Sequence, residues 1–165
     1  MSPQPFRWSG DAMIPLRPRA ADREYVVGEV YTLVPEELRS SASHRHFFAA
    51  VHEAWQNLPE DMADRFPTSE HLRKWALIKA GYRDERTIAC SSKAEALRIA
   101  AFIKPMDSYA VVVVREKTVV CLTAKSQSAR AMKKKEFQES KDAVLRVLSE
   151  LLGVSTDELR KAEAA

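Results

Sequence analysis

Two valine-rich runs, residues 109 to 114 and 118 to 123, are separated only by Arg115, Glu116 and Lys117. That spacing fits an antiparallel hairpin closed by a short polar turn, and any fold for this chain has to accommodate the pair. The segments around it read mostly as helices. From 41 to 58, Phe47, Phe48, Val51, Ala54, Trp55 and Leu58 recur at spacings of three and four, the signature of one apolar helix face. A second helix starts at Thr68 or Ser69 as N-cap, carries Leu72, Trp75, Ala76 and Ile78 inward, and stops at Gly81. Ser92 and Glu95 form a capping-box pattern that opens a third helix, ended by Pro105. The longest spans 134 to 152, with Phe137, Val144, Leu145, Leu148, Leu151 and Leu152 at helical spacing and Gly153 as its stop. Ser155 and Glu158 repeat the capping pattern, so a further turn is expected after it.

Two other segments read as extended. Residues 86 to 90 form a short strand, and Tyr25 to Val34, rich in β-branched and aromatic residues, predicts a longer one with Gly28 at a bulge or close approach. Before it, Pro3, Pro5, Pro15 and Pro18 oppose helix, which predicts an extended arm over 1–24 with a short strand at 12 to 16. The mixture predicts α+β: an extended arm, 1–24, then a single domain, 25–165, with a small, largely antiparallel sheet and about four helices. The order of strands in the sheet is not legible. With 165 residues, 45% apolar and 30% charged, the chain can bury one sizeable core.

Several functional classes are excluded at this level. No run approaches the roughly 18 apolar residues of a spanning helix, and the N-terminus lacks the pattern of a signal peptide. Cys90 and Cys121 lie in apolar runs without a C-x-x-C spacing, which suits buried thiols in a reducing, cytoplasmic setting. The four glycines are scattered, so there is no phosphate-cradling loop or dinucleotide fingerprint, and no nucleotide or other cofactor is expected. No nucleophile elbow is present, and no residue is assigned a catalytic role. His44, His46, His52 and His71 invite a metal site. On a helix, however, His44 and His46 project about 200° apart, so no metal is expected. The letters of a metal-dependent nuclease, Asp107 with Glu139 and Lys141, are also present, but Glu139 and Lys141 stand at i and i+2 on a helix and diverge.

The distribution of charge is more informative than its total. The net charge of +3 is too mild to announce a polyanion partner, yet between Arg115 and Lys135 seven basic residues face Glu116 alone, giving +6. Within this window, residues 123 to 130 form a hydroxyl- and amide-rich loop that can offer phosphate oxygens both side-chain donors and backbone N–H groups. Arg73, Lys74 and Arg83 around the second helix, and Arg39 and Arg45 near the first, are candidates to extend a backbone track with Lys125, Ser126, Ser128 and Arg130. Lys133, Lys134 and Lys135 oppose the dipole at a helix start, a strain that a bound anion would relieve. Trp55 and Trp75 read as core, and Tyr82 as the better candidate for an exposed stacking ring.

The residues Gly28-Glu29-Val30, Arg39-Ser40, His44 to Ala49, Leu72 to Trp75 and Ala80-Gly81-Tyr82, followed by Lys125 to Ser128, Met132 and Glu136-Phe137, resemble a phage and prophage protein family. More distantly the layout is similar to the NinB (Orf) recombination mediators of lambdoid phages. That resemblance implies a small α+β homodimer that binds single-stranded DNA, acts without enzymatic activity in recombination or repair, and works beside a host recombination or single-strand-binding protein. Arg39, His44, Arg45, Arg73, Lys74, Lys125, Ser126 and Ser128 are the positions it carries over. The N-terminal arm, the third helix and the Lys133 to Lys135 run have no counterpart in the mediators. The alternatives are an interaction module that regulates a host factor through spare apolar positions on the last helix, and a metal-dependent nuclease.

Overall fold

The computed structural model describes residues 4–34 and 41–164 and shows an α+β protein whose chain divides into two compact units, Met1–Glu36 and Glu37–Ala165. In the first unit, β1 (Phe6–Trp8) and β2 (Met13–Pro15) form an antiparallel hairpin with Phe6 opposite Pro15 and Trp8 opposite Met13. Helix α1 (Pro18–Glu24) follows, so the expected extended arm is corrected. The prolines do not forbid these elements, because Pro15 ends its strand and Pro18 is in the first turn of its helix, where a missing N–H costs no hydrogen bond.

The expected strand over Tyr25 to Val34 does not form. Gly28, at φ +92°, lies in a turn in which the Glu29 N–H donates to the Val26 carbonyl at 3.2 Å. Tyr25 packs edge-on against Phe6 at 5.7 Å and against Tyr31 at 5.0 Å, which makes this segment part of the first unit. Strand propensity depends on a neighbour to pair with, and this run has none among the described residues. The division of the chain accordingly falls later than residue 24.

The second unit opens with α2 (Ser41–Gln56), the single turn α3 (Glu60–Ala63) and α4 (Ser69–Lys79). Thr68 caps α4 by accepting the His71 N–H, and Gly81, at φ +93°, lets the chain turn directly into β3 (Arg83–Ala89). Helix α5 (Lys93–Ile103) is capped as the sequence predicts, with Ser92 accepting the Glu95 N–H. Then come the hairpin strands β4 (Val111–Arg115) and β5 (Thr118–Ala124), the long helix α6 (Lys134–Leu152) and α7 (Thr156–Ala164). The sheet order is β3-β5-β4 with both pairings antiparallel, so the α5 connection crosses over β5.

Two apolar clusters hold this unit together. The larger gathers Phe47 and Val51 of α2, Leu72 and Leu77 of α4, and Val144 and Leu148 of α6. In the smaller, Ala96 and Ala100 let α5 lie close on Val119, with Val112, Val114 and Cys90 around them. Alternation along β5 turns Ala124 to the opposite face, where it packs against the larger cluster. Leu145, Leu151 and Leu152 also pack in the larger cluster, so the apolar positions expected to be spare on the last helix are used internally. Cys90 and Cys121 are free and half-buried rather than buried.

Candidate nucleic-acid interface

Helix α4 sets the site. Its first turns place Glu70, Arg73 and Lys74 at i, i+3 and i+4, on one side of the helix. Arg73 is only 8% exposed, and its guanidinium grips the Glu70 carboxylate through two nitrogens, Nε donating at 2.8 Å. This contact, the largest influence on Glu70, holds its carboxyl below the usual 4.5 against the opposing effect of burial. Arg73 Nη1 also donates to Gln127 Oε1, Gln127 Nε2 donates to Ser140 Oγ at 2.8 Å, and Ser140 Oγ donates to the Phe137 carbonyl. A buried relay thus joins α4, the loop after β5 and α6, and gives each of its members, Arg73, Gln127 and Ser140, a hydrogen-bond partner.

Gln127 is the inward anchor of that loop, while Lys125, Ser126 and Ser128 on either side face solvent. The Lys125 N–H donates to the Tyr82 carbonyl at 3.0 Å and continues the ladder beyond β5. The Ser126 hydroxyl accepts the Ser128 N–H, and the Ser128 hydroxyl accepts the Ala131 N–H. The Ser128 N–H, one of the loop donors expected to be available to phosphate, is therefore engaged inside the loop. Across from it, the His44 ring is stacked on Phe137 at 5.5 Å and lies 4.6 Å from Phe48, and the Arg73 guanidinium covers the Phe48 ring at 5.1 Å.

Between these walls is a cavity of about 370 Å3 whose lining includes His44, Arg73, Lys74, Lys125, Ser126 and Ser128. Six of the candidate residues, from segments separated by up to 84 positions, therefore meet at one place. Three fixed cations, Arg73, Lys74 and Lys125, face one carboxylate, Glu70. Lys74 is positioned by Glu70 at 3.8 Å and by the Tyr109 ring, whose centroid is 3.9 Å from Nζ.

The remaining candidates are elsewhere. Arg45, Arg130, Lys133, Lys134 and Lys135 are exposed and outside the lining, and Lys135 is 3.9 Å from Glu139. Arg83 Nη1 donates to the Ile78 carbonyl at 2.9 Å. Arg39 lies outside the described residues. Tyr82 is half-buried against the larger cluster and is not an exposed stacking ring; desolvation, with Glu139 and Glu136 behind it, pushes its phenol up from 10.0. Trp55 donates Nε1–H to the Phe66 carbonyl at 2.7 Å, and Trp75 packs on Phe66, in keeping with core roles.

The nuclease letters have separate engagements: Asp107 accepts the Tyr109 N–H, Glu139 neighbours Lys135, and Lys141 donates to Ser43. Among the described residues, no three histidine, cysteine or carboxylate side chains are grouped to hold a metal ion. Glu70, Phe48 and Gln127 are the site residues that sequence reasoning missed. The Glu70 to Arg73 spacing was a readable signal, whereas the Gln127 contact, spanning 54 positions, had none.

Compared with protein-family models, curated proteins and solved structures, the chain matches none. Fold and site together define a small α+β protein carrying a cationic cavity with an aromatic wall. No helix among the described residues is long and apolar enough to cross a membrane.

Proposed function

We propose that this chain is a nucleic-acid-binding protein of phage or prophage type that favours single-stranded DNA and serves recombination or repair as a non-enzymatic mediator. The observation that carries the reading is the convergence of α2, α4 and the loop after β5 on one cavity rich in cations and hydroxyls. Cations supply sequence-independent affinity for phosphate, hydroxyls orient it, and a ring wall accepts any base. The exposed Arg130 and Lys133 to Lys135 continue the positive charge along the chain beyond the cavity. Fluorescence anisotropy with single- and double-stranded oligonucleotides over a salt series tests this. Tighter binding of the single strand, with affinity falling linearly in log salt, is expected; no binding of either form at low salt refutes it.

A second reading, an interaction module acting as a homodimer or on a host factor, draws on a different observation. Ten of the seventeen exposed large apolar side chains among the described residues belong to the first unit, including Trp8, Val26, Val27, Val30 and Val34. Apolar surface concentrated in so short a segment is the usual mark of a protein contact. The two readings are compatible, since a mediator has to meet both a strand and a protein.

A further inference from the structure

The cavity is too small for a tract of single strand. At about 370 Å3 it is at the low end of the 300–1,000 Å3 common for small-molecule pockets, whereas strand-tracking grooves cover roughly 4–16 nucleotides. It has room for about one nucleotide. Its charge is also concentrated: Arg73, Lys74 and Lys125 against Glu70 leave two positive charges around a space of that size. An internal phosphodiester carries one negative charge. A terminal phosphomonoester carries about −1.5 to −2 at neutral pH and presents three acceptor oxygens.

The donors fit the second group better. Lys125 is exposed beside Ser126 and Ser128, whose hydroxyl hydrogens remain able to donate while their oxygens accept the loop N–H groups. Arg73, locked by Glu70 and Gln127, adds fixed charge, and the rings of His44 and Phe48, tilted 39° to each other, give the cavity an aromatic side on α2 against which the adjoining base can pack.

We propose that the cavity captures a terminal nucleotide of a single strand by its phosphomonoester, so that the protein binds strand ends in preference to strand interiors. This rests on the nucleic-acid reading above and narrows it. The test compares three single-stranded oligonucleotides of one sequence, bearing a 5′-phosphate, a 3′-phosphate or hydroxyls at both ends, together with a nucleoside monophosphate as competitor. Phosphate at one end should tighten binding about tenfold, the size expected of one or two charge-assisted hydrogen bonds. The monophosphate should reduce that gain, and Lys125→Ala and Ser126→Ala should each shrink the ratio between phosphorylated and hydroxyl strands.

Which end shows the gain identifies the source of the phosphomonoester. Equal binding of all three strands overturns end capture and leaves strand binding standing. An equal gain at both ends that Lys125→Ala does not alter shows only added charge, and also overturns it. Failure of every oligonucleotide to bind overturns both readings.

Discussion

Gln127 is the residue on which the candidate site depends, although it carries no charge. Its side chain fills a gap between the Arg73 guanidinium and the Ser140 hydroxyl and is 4% exposed. Gln127→Ala removes the acceptor of Arg73 Nη1 and the donor to Ser140 Oγ, which keeps its bond to the Phe137 carbonyl, and should lower unfolding free energy by about 1–3 kcal/mol in urea titration. It should also loosen Lys125, Ser126 and Ser128, weakening oligonucleotide binding without removing a cation. Glu70 gives a pH signature. Its carboxyl is held below 4.5 mainly by Arg73, so the stability it adds is present above that value and drains away as the pH falls through the lower, folded-state value. The stability gap between the wild type and Glu70→Gln should narrow as the pH is taken below 4.5, and a constant gap would refute the linkage. Because the Glu70 side chain is only partly withdrawn from solvent, the effect is expected to be small.

Helix α6 shows how an element can be built for two purposes. Its inward face is fully committed, and Leu148, with no exposed surface, packs between elements far apart in sequence. Leu148→Ala should cost about 2–5 kcal/mol by the same urea titration. Its start is built poorly for stability. Lys133 is the N-cap and makes no side-chain cap, and Lys134 and Lys135 follow at the positive end of the dipole. Lys133→Ser should therefore stabilise the fold by about 1 kcal/mol, read as a higher denaturation midpoint. Replacing all three lysines should weaken strand binding and reduce the salt slope, and an unchanged slope would exclude the run from the interface. The start of α4 contrasts with this, because Thr68 caps it and Glu70 stands in its first turn.

At the scale of the whole molecule, the two units differ in what they leave uncovered. The second buries two apolar clusters and keeps a polar cavity open. The first holds a hairpin, one helix and a tyrosine-linked segment, and leaves most of its large apolar side chains in water. Light scattering of the full chain after size exclusion should give the mass of a dimer, and Val27→Ser with Val30→Ser should shift it toward monomer. A strict monomer for the unaltered chain would count against both the homodimer and the interaction reading.

Local signals settled much of this protein in advance. The Val-rich hairpin, the capping residues Thr68, Ser92 and Ser155 and the stops at Gly81 and Gly153 are each decided by a few neighbouring residues, so the sequence alone determines them. Most of the site was legible as a collection of cations and hydroxyls. Three decisions belong to tertiary structure. Residues 25 to 34 lack the strand their composition predicts because a ladder needs a partner. The order β3-β5-β4 depends on where α5 lands. Arg73 belongs to a buried relay and Lys133 to open surface because packing brings Gln127 onto one and, among the described residues, leaves the other exposed. Residue types and spacings along a chain specify what a segment can form; which cations converge is decided only when distant segments share one core.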